Sequence, residues 1–273
     1  MVATHCKQRK DNHDIVGTVV SMTTDVHTQL GMNRMAIHEV DHKTLGEQVD
    51  LLIDRMNTFG IEKSVLVPCN AYDGTDLYLK ACAIYPDRLF SACTIFPRPI
   101  DDARKALIQY KDQGCVSLVM EESLYHPGDP AADALVRAAV HEDIAVYFRS
   151  RELRGENLSF VDRSSLMHPE GRFVVLNMGG LFSFPNVIPL LARQNIWLET
   201  SYTLVRLVES PLRVYLDALV QDVGVRKLIF GSGHHTDYGH LQASLNMIDL
   251  NYEQQRVITK ENAYFVLGVG FSG

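Results

Sequence analysis

Side chains suited to acid–base chemistry and anion binding fall in four separate segments of this 273-residue chain. These segments contain Asp25, His27 and Gln29; Arg149; Asn177; and His234, His235 and Asp237. A histidine such as His27 titrates near neutral pH and can act as a general acid or base. Arg149 can hold a carboxylate or phosphate by two parallel hydrogen bonds, and Asn177 can donate a hydrogen bond to a developing oxyanion. The residue types therefore indicate acid–base chemistry on a small anionic molecule.

The elements that would position these side chains are predicted by periodicity. Short apolar runs alternate with longer amphipathic ones, which is typical of repeated βα units on a parallel sheet. Strands are predicted at residues 19–27, 63–70, 89–97, 115–121, 144–149, 173–178, 196–201 and 227–232. This pattern predicts an α/β fold of the (β/α)8 TIM-barrel type, regular or distorted, with a doubly wound open sheet as the alternative. The sequence has neither GxGxxG nor a P-loop, so nothing supports nucleotide binding by an open sheet.

Helices are predicted between the strands and after the last one. The segments are 44–59, 73–85, 101–113, 130–142, 185–194 and 211–223, followed by closing helices at 241–250 and 253–266. Several begin with Pro or Asp, which suits the first helical turn. The segment 152–171 is the least regular, and we expect a short helix or a mobile loop over the barrel mouth there. Residues 1–273 are predicted to form one barrel domain with an N-terminal extension at 1–16.

Composition excludes several classes of protein. The chain is 46% hydrophobic and 22% charged, as in ordinary globular domains, and its net charge of −7 argues against a nucleic-acid partner. No apolar run approaches the roughly 18 residues of a membrane span, and the polar N-terminus lacks a signal-like apolar region. Five cysteines without CxxC spacing predict reduced, mostly structural thiols. We therefore expect a cytoplasmic protein.

Several short motifs carry a resemblance to a known family. Asp25 and His27 stand on the first predicted strand, Pro-Asp-Arg-Leu-Phe precedes the third at 86–90, and Asn-Met-Gly-Gly follows the sixth at 177–180. Glu-Asn-Ala occurs at 261–263 and Leu-Gly at 267–268. From residue 25 to residue 268 the chain resembles the amidohydrolase-related family, the branch of the amidohydrolase superfamily that includes aminocarboxymuconate semialdehyde decarboxylase. The resemblance implies a TIM barrel, a hydrolase or decarboxylase, and a homodimer.

The same resemblance shows departures at the expected metal ligands. The family pattern has DxHxH on strand one, a His ending strand five, a His before Met-Gly-Gly on strand six and an Asp in Phe-Gly-Ser-Asp on strand eight. Here the corresponding residues are Gln29, Arg149, Asn177 and Gly233, although a shift of one residue would put Phe148 or Ser150 in place of Arg149. A divalent metal needs three or four N, O or S donors, and a protonated arginine cannot be one. We therefore predict a site without a metal or other cofactor, in which Arg149 replaces the charge of the metal.

A displaced zinc site remains as an alternative, with His27, His234, His235 and Asp237 as its ligands. The competing interpretation is that one of the adjacent histidines fills surface and the other caps a helix. His27 itself could be a retained family histidine, hydrogen-bonded to Asp25 and otherwise idle. Glu199 on strand seven, if it faces inward, would pair with Arg149 and make both residues structural. Glu121 is the other candidate partner of Arg149, which would then hold the barrel together.

The functional hypothesis is a metal-independent hydrolase or decarboxylase that acts on a small carboxylate-bearing substrate. We predict that the catalytic residues are His27, Asn177 and His235, and that the substrate-binding residues are Arg149, Gln29, Asp25, His234, Glu121 and Glu199. One alternative is a catalytically inactive barrel that binds a metabolite or a partner chain. The other is a metal-dependent hydrolase with the rearranged zinc site.

Overall fold

The computed structural model describes residues 22–32, 40–69 and 74–268. Its eight strands are parallel and stand in sequence order, each paired with the next. They are β1 Thr23–Thr28, β2 Ile61–Leu66, β3 Leu89–Thr94, β4 Cys115–Glu121, β5 Ala145–Arg149, β6 Phe173–Val175, β7 Ile196–Glu199 and β8 Leu228–Ile229. Backbone hydrogen bonds from Val26 N to Phe230 O (3.0 Å) and from Ser232 N to His27 O (2.9 Å) join the two ends of the sheet. The predicted TIM barrel is confirmed, and the open-sheet alternative is wrong.

Helices follow the strands around this nearly closed barrel. They are α1 Leu45–Phe59, α2 Gly74–Cys82, α3 Ile100–Asp112, α4 Pro130–His141, α5 Gly155–Met167, α6 Phe184–Val187, α7 Ser201–Val208, α8 Arg213–Ala218, α9 Tyr238–Asn246, α10 Tyr252–Arg256 and α11 Asn262–Leu267. Pro130 begins α4 as predicted, and the preceding Asp129 caps this helix because its side chain accepts a hydrogen bond from Ala131 N (2.8 Å). In the described segments, no helix is long and apolar enough to cross a membrane.

Of the two alternatives predicted for 152–171, the helix is confirmed and the mobile loop is wrong, although α5 is a regular helix of 13 residues and longer than expected. It buries Phe160 and Val161 against the barrel. Strands six and seven end earlier than predicted, since Asn177 (φ 55°) and Ser201 (φ 38°) adopt left-handed backbone conformations. The predicted helix at 185–194 is replaced by α6 and a 3-10 turn over Ile188–Ala192. Parts of the first two predicted strands, and the N-terminal extension 1–16, lie outside the described residues.

Alternate strand residues divide between two apolar clusters. Tyr147 of β5 belongs to the cluster of strand residues that fills the barrel with α11, whereas Phe148 packs among the surrounding helices. Burying such an aromatic side chain contributes roughly 1.5–3 kcal/mol. Because side chains alternate along a strand, Arg149 shares the inward face of Tyr147. This register selects Arg149 over its neighbours Phe148 and Ser150 as the strand-five site residue.

Candidate active site

The candidate site lies where the strands end, the side of a parallel barrel that carries catalytic groups. β4 ends at Glu121, β5 at Arg149 and β7 at Glu199, while Asn177 lies two residues after the end of β6. A cavity of about 510 Å³ opens at the other end, lined by Leu89, Cys115 and other residues at the strand starts. That cavity is therefore separate from the strand-end residues considered below.

Glu199 anchors two of the predicted catalytic residues through one oxygen atom. His27 Nδ1 lies 3.1 Å from Glu199 Oε2, and Asn177 N donates to the same oxygen at 2.8 Å. The side chains of His27 and Glu199 are 4% and 0% exposed. An ionised carboxylate only accepts hydrogen bonds, so Nδ1 of His27 carries the proton and a neutral ring leaves Nε2 as a bare acceptor. Nε2 is buried without a hydrogen-bond partner.

Gly231, which follows β8, makes the position of Glu199 possible. A Cβ atom at Gly231 would lie 2.3 Å from Glu199 Oε1, closer than any real contact. The carboxylate thus packs directly on the glycine backbone. Sequence reasoning missed this requirement, although the glycine lies in the Phe-Gly-Ser segment that carries the family resemblance.

Arg149 forms an ion pair with Glu121, one of its two predicted partners. It pairs with Glu121, its neighbour in strand register, through Nε and donates from Nη1 to Pro68 O at 2.6 Å. The predicted pairing with Glu199 is wrong, because Glu199 is held by His27 and Asn177. The Arg149 side chain is 12% exposed, and its Nη2 is buried without a hydrogen-bond partner. One edge of the guanidinium therefore retains donor capacity for an anion.

Asn177 has its side-chain amide oriented by a residue that the sequence did not single out. Its Oδ1 accepts a hydrogen bond of 2.7 Å from Ser201 Oγ. The backbone of Asn177 is left-handed, with φ 55°, a conformation that asparagine tolerates better than most residues. The half-buried Asn177 side chain can therefore present Nδ2 as a hydrogen-bond donor.

Asp25, which was predicted to bind substrate, makes its hydrogen bonds inside the protein. Its Oδ1 accepts from Ser232 N and His27 N, both at 3.0 Å, and its Oδ2 accepts from Ser232 Oγ at 2.7 Å. The pairing of β1 with β2 is irregular between Asp25 and Thr28, so simple alternation fails there. Asp25 ties β1 to the segment after β8, and it contacts the backbone of His27 rather than its ring. Burial raises the pKa of Asp25 to about 6 against the opposing effect of these hydrogen bonds.

Gln29 lies just beyond β1 and is half-buried. The two adjacent histidines, by contrast, are both buried and stacked, with ring centroids 4.3 Å apart. His234 accepts from Thr236 N and caps the 3-10 turn His235–Asp237, so the capping interpretation is confirmed and the surface-filling one is wrong. His235 Nε2 contacts Gly31 O at 2.9 Å, and burial lowers the pKa of His235. These contacts hold the two rings beside the loop that follows β1.

The described part of the site contains no cluster of metal-ligating side chains. Within residues 22–32, 40–69 and 74–268, no three His, Cys, Asp or Glu side chains lie together in a way that could hold an ion. The alternative zinc set of His27, His234, His235 and Asp237 is therefore not assembled. The described cysteines, Cys69, Cys82, Cys93 and Cys115, form no disulfide, as predicted, and Cys6 lies outside the described residues.

The chain belongs to the Amidohydrolase family, whose model matches residues 43–269. Among curated protein sequences, none is detectably similar to this chain.

Solved structures agree in fold at low sequence identity. A probable 2-pyrone-4,6-dicarboxylic acid hydrolase from Acinetobacter baumannii, with citric acid bound, has a TM-score of 0.69 and 18% identity, covering 91% of this chain and 100% of its own. An uncharacterised TIM-barrel protein from Bordetella bronchiseptica has a TM-score of 0.71 and 15% identity, covering 92% and 99%. The 5-carboxyvanillate decarboxylase from Novosphingobium aromaticivorans, complexed with manganese and a nitrobenzoic acid, has a TM-score of 0.62 and 14% identity, covering 91% and 96%.

Proposed function

We propose that this protein is a metal-independent hydrolase or decarboxylase that acts on a small carboxylate-bearing substrate. The observation that carries the proposal is the shared anchor at Glu199 Oε2, which receives His27 Nδ1 at 3.1 Å and Asn177 N at 2.8 Å. Since both contacts end on one atom, the His27 ring and the Asn177 backbone are held next to each other, and Ser201 Oγ orients the Asn177 side-chain amide. General acid–base catalysis with oxyanion stabilisation requires a base and, next to it, a hydrogen-bond donor to the oxyanion.

His27 is the proposed acid–base group, acting through Nε2. In hydrolysis, Nε2 takes a proton from the attacking water and then gives it to the leaving group, while Asn177 Nδ2 donates to the oxyanion. In decarboxylation, His27 first takes a proton from solvent at Nε2; the carbon–carbon bond then breaks, its electron pair stays on the substrate carbon, CO2 leaves, and the imidazolium donates its proton to that carbon. In both reactions Glu199 stabilises the imidazolium that forms, and is a positioning residue instead of a substrate ligand.

Arg149 is the proposed anchor for the substrate carboxylate. Its Nη2 is buried and unpartnered, while Glu121 and Pro68 O hold the rest of the guanidinium in place. A buried donor on a permanent cation favours an anion at that position. The names of the structural neighbours agree with this choice, since they are a hydrolase of a dicarboxylic acid and a decarboxylase of a carboxyvanillate.

Metal independence is supported by the donor set, which offers arginine and asparagine amide groups where a cation would need His or carboxylate ligands. Arginine supplies positive charge, but it repels a metal ion and cannot coordinate it. No step of the proposed chemistry therefore passes through a metal. The manganese-bound decarboxylase is the relevant contrast, because its site holds an ion in the same kind of barrel.

The test combines metal analysis with turnover. The purified protein is analysed for bound transition metals and treated with EDTA, then assayed with 2-pyrone-4,6-dicarboxylic acid, 5-carboxyvanillate and related carboxylates. We expect less than one metal per chain, turnover that survives EDTA, and a loss of at least about 100-fold in kcat/KM for His27→Gln. His240→Gln, which changes an exposed histidine of α9, is the matched control and should keep full activity.

Two results would contradict the proposal in different ways. Turnover that disappears with EDTA and returns with zinc or manganese would establish a metal-dependent enzyme. Carboxylate binding without turnover of any compound in the panel would favour the inactive barrel that binds a metabolite.

A further inference from the structure

Ser201 occupies a position that its local structure alone does not explain. It is fully buried at the start of α7 with φ 38°, a left-handed value that residues other than glycine rarely adopt. Its N donates to Gly231 O at 2.8 Å, and its Oγ donates to Asn177 Oδ1 at 2.7 Å. The unusual backbone thus places the hydroxyl on the amide of Asn177.

This hydrogen bond determines which end of the amide is available to a ligand. An asparagine side chain has an acceptor oxygen at one end and two N–H donors at the other. Because Ser201 Oγ is the donor to Oδ1, Nδ2 must point away from Ser201, and it makes no hydrogen bond within the described residues. The backbone N–H of Asn177 is meanwhile fixed on Glu199 Oε2. Both ends of the residue are therefore restrained.

We propose that Ser201 is a positioning residue that holds the Asn177 amide with its N–H donors toward an oxyanion of the substrate. The inference rests on the proposed function, in which Asn177 faces the oxyanion. Without the Ser201 hydroxyl, the Asn177 amide can rotate by 180° about its Cβ–Cγ bond. It then presents Oδ1 to the substrate, and the partial negative charge of this oxygen repels an anion. Ser201 acts through Asn177 and does not contact the reacting atoms.

A purely structural role for Ser201 makes different predictions, and two substitutions separate them. Ser201→Ala removes the hydroxyl and keeps the Cβ atom in its left-handed conformation. Ser201→Gly also removes the hydroxyl but adopts φ 38° without a Cβ penalty. A structural role predicts that ligand responses follow the melting temperature, so the glycine variant would behave like the wild type. The positioning role predicts that both variants lose the amide response to the same extent.

The experiment observes the amide directly by NMR of 15N-labelled protein, with citrate as the anionic probe. The Asn177 side-chain signal is assigned by its disappearance in Asn177→Asp. In the wild type, citrate should shift this signal and the Arg149 Nε signal. In Ser201→Ala and Ser201→Gly, the citrate-induced shift of the Asn177 signal should fall at least fivefold. Without ligand, the rate at which the Asn177 amide rotates about its Cβ–Cγ bond should rise at least fivefold in both variants. Ser159→Ala removes a surface hydroxyl that bonds Gly155 O on α5, and it should change neither.

An unchanged rotation rate of the Asn177 amide in both variants would overturn the role of Ser201, whether or not citrate binds. A citrate shift at Arg149 without one at Asn177 in the wild type would also overturn it, because the amide would then not face the anion. If citrate shifts neither signal in the wild type, the proposed anion site fails. The ligand-free rotation rates would still decide whether Ser201 fixes the amide.

Discussion

Glu199 Oε2 lies 3.1 Å from His27 Nδ1, and both side chains are almost completely removed from solvent. In Glu199→Gln, the side chain has nearly the same shape but presents either an acceptor or a donor to the ring. The tautomer with the proton on Nδ1 is then no longer enforced, so fewer molecules have a bare Nε2. We expect kcat/KM to fall about 100-fold or more with little change in KM, because Glu199 acts through His27 in the proposed mechanism. The measurement is steady-state kinetics together with 15N shifts of the His27 ring. Unchanged ring shifts would show that Glu199 does not set the tautomer.

Gly231→Ala is expected to disable the same pair by a steric route. The added Cβ atom would lie 2.3 Å from Glu199 Oε1, so the carboxylate must leave the position in which it contacts His27 and Asn177, or the backbone must shift. Overpacking of this kind costs about 1–3 kcal/mol of unfolding free energy, and activity should fall with it. Gly46→Ala in α1 is the control, since a Cβ atom there meets nothing within 4 Å. That change should leave stability equal or slightly higher. Denaturant unfolding of both variants measures the difference, and equal stability in the two would contradict the predicted clash.

The barrel and the inward face of Arg149 could be predicted because both follow from short-range periodicity. Apolar runs of strand length recur with helical returns, and alternation along β5 places Tyr147 and Arg149 on one face. Periodicity failed at β1, where the pairing with β2 is irregular between Asp25 and Thr28, and where Asp25 contacts Ser232 while His27 contacts Glu199. A bulge inserts a residue into the ladder without a strong signal in one sequence.

The partners of the site residues were harder to predict than their positions. His27 and Glu199 are 172 residues apart in the chain, and no local pattern indicates that they meet. Arg149 pairs with Glu121, and Glu199 contacts His27. Which carboxylate meets which base depends on how far each side chain reaches across the barrel mouth. Ser201 was missed because it was predicted to end strand seven, whereas its left-handed backbone begins α7.

Asp25 should give the protein a measurable pH dependence of stability. Burial raises its pKa from 3.8 to about 6, so the folded state holds this proton more tightly than the unfolded state. Stability from this group is therefore fully present below pH 3.8 and is lost as pH rises to about 6, by about 3 kcal/mol in total. Asp25→Asn cannot titrate at this position. Between pH 3.8 and about 6, the unfolding free energy of the wild type should fall relative to that of Asp25→Asn. Above this range the difference between the two should stay constant. A difference independent of pH between 4 and 7 would show that the Asp25 pKa is not raised.

Arg149 allows the anion-binding role to be separated from the ion pair with Glu121. Arg149→Lys keeps the charge but loses the planar fork, and Arg149→Met loses both, so citrate affinity should fall by roughly 1–3 kcal/mol in each. Both changes also leave Glu121 without its partner and should lower the melting temperature, because the pair is largely buried.

Glu121→Gln is the matched control, since it removes the ion pair while the guanidinium and its contact with Pro68 O remain. We expect Glu121→Gln to lower the melting temperature but to keep citrate affinity within about threefold of the wild type. If citrate affinity, corrected for the folded fraction, is instead unchanged in both Arg149 variants, Arg149 serves only to hold β4 and β5 together and the anion binds elsewhere.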